Sequence, residues 1–138
     1  MGSMAYFFWL SGQALEAPLL FPGLSLLAMI VGFAALAGGC ASGQMFRRRT
    51  LVLLVPCGIP LVILVCGAAL KYDGPDFGPP WHAGVIHFLL WFHVPLAAFL
   101  IWWLRGMRWA VLGLSFFQWW MSLCAAVVSF MSVTGDWL

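Results

Sequence analysis

Residues 99–114 read FLIWWLRGMRWAVLGL, and this stretch decides the fold. Its two arginines, Arg105 and Arg108, separate two uncharged segments that run from 77 to 104 and from 109 to 135. Each segment is long enough to cross a hydrocarbon core about 30 Å thick as a helix. Because only Gly106 and Met107 lie between the arginines, the two helices are predicted to form an antiparallel hairpin.

The rest of the chain holds two more uncharged segments, at 17–46 and 51–70. The sequence therefore predicts an all-α integral membrane protein, a single domain with four transmembrane helices in an up-down-up-down bundle. The expected helices cover about 22–41, 51–70, 81–104 and 109–133 of residues 1–138. Composition agrees, with 64% hydrophobic and 7% charged residues. The helices leave no room for a soluble catalytic or nucleic-acid-binding domain, so the expected partners are lipid and other membrane proteins.

Charge gives an orientation to these helices. All the arginines can be placed on one side of the membrane and all the acids on the other: Arg47, Arg48, Arg49, Arg105 and Arg108 against Glu16, Asp73, Asp76 and Asp136. The positive-inside rule then predicts cytoplasmic arginine-rich loops, with both termini and the loop from Lys71 to Trp81 outside. We expect a bacterial inner (plasma) membrane location. The aromatic segment from Ala5 to Ala17 is predicted to be a short helix lying in the outer interface.

Prolines interrupt two of the predicted spans. Pro56 and Pro60 lie in the second span and Pro95 in the third, and each removes a backbone donor and leaves a carbonyl four residues earlier without its helical partner. Such carbonyls, together with His93 and Gln118, are able to line a polar pathway if they face one interior.

The fourth span carries a regular polar stripe. Ser115, Ser122 and Ser129 are seven residues apart, and Gln118, Ala125 and Ser132 interleave with them. In lipid, this seam is expected against another helix, where hydroxyl and amide groups find hydrogen-bond partners. Four aromatic side chains fall off the seam and are expected to face lipid, a cofactor or a neighbouring protein: Phe116, Trp119, Trp120 and Phe130.

All three histidines of the chain lie on the third span. His82 and His93 point the same way, while His87 is turned roughly 120 to 140° from both, so the three do not form one metal site on a continuous helix. His93 lies near the bilayer centre and needs a partner. A hydrogen bond to the seam is the favoured interpretation; ligation of a haem or pigment by His93 or His87 is the alternative. A second axial ligand would then come from another chain or from a sulfur such as Met121.

The outer segment before the third span offers a second candidate site. Asp73, Asp76 and His82 have ligand types that suit a divalent ion, although their spacing matches no specific metal motif and a solvated turn is favoured. No nucleophile with its base and no acidic pair is within reach of a shared site, so the sequence does not predict an enzyme. No cofactor is specified.

These observations favour a small accessory or assembly subunit, held to a larger complex or to copies of itself. A small channel or carrier with a pathway lined by the broken second and third helices is one alternative. A haem- or pigment-binding component that uses the histidines of the third span is another.

Overall fold

The computed structural model describes residues 3–41, 52–72 and 79–135. Within these ranges every regular element is helical, and no strand occurs. The α-helices are α1 (Ser3–Glu16), α2 (Pro22–Ala41), α3 (Val55–Ala69), α4 (Pro80–Trp103) and α5 (Arg108–Thr134). Short 3-10 turns at Ala17–Leu20 and Arg105–Met107 join α1 to α2 and α4 to α5.

Four of these elements are long and apolar enough to cross a membrane. Together with adjoining 3-10 turns, they are Pro22–Ala41, Val52–Ala69, Pro80–Trp103 and Arg105–Thr134. This finding confirms, for the part of the chain that the structure describes, the prediction of an all-helical protein with four helices of membrane-spanning length.

Prolines mark where three of the helices begin. Pro22 and Pro80 are the first residues of α2 and α4, and Pro56 is the second residue of α3. The missing N–H of proline has no intrahelical acceptor in a first turn, so proline fits there without loss. The second span therefore differs from the expectation: its α-helix starts at Val55 after a 3-10 turn, and Pro56 does not interrupt it. Among the prolines of the described ranges, only Pro60 and Pro95 lie in the interior of α-helices.

Helix α5 lies at the centre and packs against α2, α3 and α4. Against α2 it runs antiparallel, because Trp120 meets Ser25 near one end of α2 whereas Gly113 meets Ala35 further along. A Cβ atom on Gly113 would lie 2.6 Å from the Cβ of Ala35, so the absence of a side chain at Gly113 permits this close approach.

The other two neighbours of α5 fix the remaining directions. Helix α3 runs parallel to α5, since Leu53 meets Gln118 and Gly67 meets Ser132. The chain reverses its direction in the turn at Arg105–Met107, so α4 packs antiparallel to α5. Helices α2 and α4 thus run one way, and α3 and α5 run the other. We call the end that holds Arg105 and Arg108 the arginine end.

Helix α1 packs on α3 and α5 at the opposite end, which we call the α1 end. Its buried face is formed by Tyr6, Leu10 and Ala14, and Ala17 of the following turn continues it. The other face of α1 is apolar and exposed, as at Met4 and Phe8. The short N-terminal helix is therefore a part of the packed structure.

Candidate functional site: the polar seam of α5 and the histidines of α4

The polar seam of α5 faces backbone carbonyls of the span Val52–Ala69, which consists of α3 and the 3-10 turn before it. The amide Nε2 of Gln118 donates to the Leu53 carbonyl at 3.2 Å and to the Sγ atom of Cys57 at 2.9 Å. About three turns further on, Ser129 Oγ donates to the Ile63 carbonyl at 3.2 Å. The seam thus joins two helices by hydrogen bonds from side chains to backbone, which in lipid have no competing water.

The same seam reaches the α1 end. Ser132 Oγ donates to the Gly67 carbonyl at 2.9 Å and lies 2.8 Å from the hydroxyl of Tyr6. Gly67 makes this approach possible, because a Cβ atom there would lie 2.5 Å from both Cβ and Oγ of Ser129. Glycine at this position therefore allows α5 to bring its hydroxyls to the backbone of α3.

Two polar atoms of the seam have no hydrogen bond within the described parts of the chain. They are the Ser115 hydroxyl oxygen and the Gln118 Oε1 atom, both buried. Since Oε1 belongs to a side chain whose Nε2 is already bound to Leu53, the Gln118 amide is half satisfied. These two atoms lower the stability that the hydrogen bonds of the seam provide, because a buried polar atom without a partner is unfavourable.

His93 lies in the interface of α4 and α5. Its side chain is 3% exposed, and its Nε2 atom is 3.4 Å from the Ser122 hydroxyl, a long hydrogen bond. Ser122 itself is completely buried. The geometry is that of an imidazole hydrogen-bonded to the seam, and its Nε2 atom points into the protein instead of toward an open face where a porphyrin would sit.

His87, in contrast, is exposed on the outer surface of α4. Its Nε2 atom accepts a hydrogen bond of 2.8 Å from the indole Nε1 of Trp91, one turn further along. Two surface hollows, of about 230 and about 550 Å³, adjoin the imidazole, and Phe130 of α5 contributes to both. The larger hollow also has Phe88 and Trp91 in its walls. His87 therefore lies in a shallow, aromatic part of the surface.

His82 is half buried at the start of α4, with its ring 4.0 Å from that of Trp81 and its Nδ1 atom buried without a hydrogen bond within the described ranges. Asp73 and Asp76, the other candidate metal ligands, lie outside the described residues. Among the described residues, no group of three His, Cys, Asp or Glu side chains is placed to hold a metal ion. The metal site thus stays a prediction from sequence.

The candidate pathway residues do not share one environment. Pro56, His93 and Gln118 are buried, Pro60 is half buried, and Pro95 is exposed on the outside of α4. Of the buried members, Gln118 and His93 are held by hydrogen bonds to other parts of the chain, to the Leu53 carbonyl and to the Ser122 hydroxyl. In this arrangement they pack the helices together.

One interaction was not anticipated from the sequence. Trp120 was expected to face lipid, a cofactor or a neighbouring protein, and this is wrong: its side chain is 5% exposed, and its Nε1 atom donates to Ser25 Oγ at 3.1 Å. Ser25 in turn donates to the Pro18 carbonyl at 2.8 Å, and the ring of Phe21 packs edge-on against Trp120. An indole N–H in a membrane needs an acceptor, and a serine in the facing helix supplies it.

Comparison of the chain with protein-family models, with curated proteins and with solved structures gave no match.

Proposed function

We propose that this small integral membrane protein is an accessory or assembly subunit, held to a larger membrane complex or to copies of itself through the outer surface of α4. The observation that carries the proposal is the exposed pair formed by His87 and Trp91. The pair lies on a helix of spanning length, with His87 about 10 Å along the axis from the first residue, Pro80.

A partner helix would supply an acceptor for a hydrogen-bond donor of His87. A neutral imidazole that accepts a hydrogen bond at Nε2 carries its proton at Nδ1, and Nδ1 is then a donor directed away from Trp91. A donor without an acceptor is costly in hydrocarbon. A carbonyl or polar side chain of a second membrane helix would satisfy it, and the neighbouring aromatic rings of Phe88 and Phe92, 6.1 Å apart, would add packing area.

The interior supports a subunit over a channel or carrier. The polar groups with which a pathway would be built are largely consumed in contacts between helices: Gln118 with Leu53, and Ser129 with Ile63. Opening a passage along α5 would break these bonds without water to replace them. A channel or carrier therefore ranks second, and flux assays in proteoliposomes address it directly.

A haem- or pigment-binding role is a further candidate because His87 lies beside an aromatic hollow of about 550 Å³. Ligation of a metal by Nε2 would first require Trp91 to release that atom. Oxidised and reduced absorption spectra of protein purified from its native membrane test this role. A pigment band that is lost in His87→Leu and kept in His93→Leu would place the cofactor here; a colourless preparation with other subunits supports the accessory role.

The proposal includes a topology. We infer an up-down-up-down bundle with both termini outside, α1 in the outer interface and the arginine-rich loops in the cytoplasm of a bacterial cell. The alternating directions of α2 to α5 support it, and so does the position of Arg105 and Arg108 at one end with Glu16 at the other. Single cysteines placed at Gly106 and after Gly135, in a background without native cysteines, are expected to react with a membrane-impermeant thiol reagent only from inside and only from outside, respectively. The opposite pattern inverts the topology.

Photo-cross-linking in the native membrane tests the partner surface. A photoreactive amino acid at Phe88 of α4 is expected to give a protein adduct, whereas the same group at Phe33, an exposed position of α2, serves as the matched control. The mass of the adduct distinguishes a second copy from another subunit. Adduct formation at Phe88 should fall when His87→Leu is added. Equal yields at both positions, or adducts with lipid alone, would contradict the proposal.

A further inference from the structure

A groove opens between α2 and α5 toward the arginine end. The helices touch where Gly113 meets Ala35. Beyond this contact the groove has a volume of about 770 Å³ and small apolar walls, formed by Ala34, Gly38 and Ala110 among others. No atom of the described residues lies within 4 Å of the position that a Cβ on Gly38 would take, so none of them fills the space beside it.

The groove ends in positive charge. Arg108 lines it, and Arg105 lies a turn away at the same end. Glu16 is the one carboxylate among the described residues. It is the last residue of α1 and lies at the opposite end of the molecule. Helix α5 also begins at Arg108, so the positive end of its dipole adds to the charge of the guanidinium.

We propose that this groove binds an anionic phospholipid, with an acyl chain along the small residues and the headgroup phosphate on Arg108. An apolar trough that ends at a cation matches the form of a lipid, which is apolar along its chain and charged at its head. Trp109, 86% exposed beside Arg108, is an aromatic residue of the kind found at headgroup level. A guanidinium is suited to phosphate because its N–H groups match two phosphate oxygens.

Charge is tested with a matched pair of variants. Binding of phosphatidylglycerol and of phosphatidylcholine with the same acyl chains is measured by native mass spectrometry of the purified full chain in detergent. One cation near a headgroup contributes about fivefold in affinity, so Arg108→Gln is expected to weaken phosphatidylglycerol binding about fivefold. Arg105, whose guanidinium lies 5.7 Å from the centroid of the Trp102 ring and outside the groove, is the control. Arg105→Gln is expected to change the affinity less than about twofold.

The groove itself is tested by filling it. Gly38→Leu puts a side chain into this space, and Gly23→Leu makes the same change at the other end of the same helix, where no described atom lies within 4 Å of the new Cβ either. We expect Gly38→Leu to abolish the preference for phosphatidylglycerol and Gly23→Leu to keep it, with the melting temperature in lipid-free detergent unchanged for both.

Four results would overturn the proposal. Equal losses in Arg105→Gln and Arg108→Gln would indicate diffuse attraction to the positive end, and unchanged binding in Gly38→Leu would separate the lipid from the groove. A Gly38→Leu variant that is destabilised without lipid would show that protein already fills the space. Binding of inorganic phosphate as strong as that of phosphatidylglycerol, in the same mass-spectrometric measurement, would identify a site for a free anion.

Discussion

The hydroxyl of Tyr6 lies 2.8 Å from the hydroxyl of Ser132, and this contact joins the first helix to the last turns of α5. Ser132 also donates to the Gly67 carbonyl, so that α1, α3 and α5 meet at one buried serine. Lys71, just past the end of α3, places its ammonium nitrogen 4.5 Å from the centroid of the Tyr6 ring. The α1 end is therefore held by a tyrosine that contacts both α5 and the chain after α3.

Removal of the Tyr6 hydroxyl should loosen this end. We expect Tyr6→Phe to lower the free energy of unfolding by about 1 kcal/mol, since a buried hydroxyl pair is lost while the ring stays. Thermal unfolding in mild detergent measures the effect. Ser11→Ala is the control, because the Ser11 hydroxyl bonds only to the Phe7 carbonyl of its own helix. If both variants melt alike, α1 does not pack on α5 through Tyr6.

Gly67 should not tolerate a methyl group. A Cβ atom there meets Ser129 Cβ and Oγ at 2.5 Å and its Cα at 2.9 Å, so α3 and α5 have to move apart. We expect Gly67→Ala to destabilise the protein by about 1–3 kcal/mol, the usual range for overpacking. Gly58→Ala is the matched control in the same helix, where no atom of the described residues lies within 4 Å of the new Cβ. A Gly67→Ala variant as stable as Gly58→Ala would contradict the contact.

The seam shows what the sequence reveals and what it leaves open. Ser115, Ser122 and Ser129 recur every seven residues, and because hydroxyls are poorly placed in lipid this spacing predicts a face against other helices. The particular acceptors are not predictable: the carbonyls of Leu53 and Ile63 belong to the backbone, and every residue has one. Only the packed structure decides which carbonyl a serine meets.

The spacing of residues in α1 predicts its packing, although the aromatic composition of this segment does not. Tyr6, Leu10, Ala14 and Ala17 follow each other at spacings of four, four and three, which is the pattern of one helix face. All four are buried. The cluster from Tyr6 to Trp9 predicts a helix in the membrane interface, and the periodicity of the whole segment adds that one side of this helix faces protein.

Gln118 and Ser115 should respond in opposite ways to loss of their polar groups. Gln118→Met keeps the length of the side chain but removes the donor to Leu53 and Cys57, and we expect a loss of about 1 kcal/mol in the free energy of unfolding. Ser115→Ala removes a buried hydroxyl that has no hydrogen bond within the described residues, and should be neutral or stabilising. Unfolding in detergent compares the two variants. A Ser115→Ala variant as unstable as Gln118→Met would reveal a partner for Ser115.

Ser122 tests the interface between α4 and α5, where size and hydrogen bonding can be separated. Ser122→Ala removes only the long bond to His93 and should cost about 0.6 kcal/mol or less. Ser122→Leu adds volume at a completely buried position and should cost about 1–3 kcal/mol.

Thermal unfolding in detergent again gives the measurement, with Val127→Leu as an enlargement at an exposed position of the same helix. Because the space around Ser122 is set by His93 of α4, a second substitution of His93 by alanine should restore part of the stability that Ser122→Leu loses. If Ser122→Leu melts like wild type, a leucine fits at position 122 without displacing its neighbours. The contact between α5 and α4 at His93 would then be wrong.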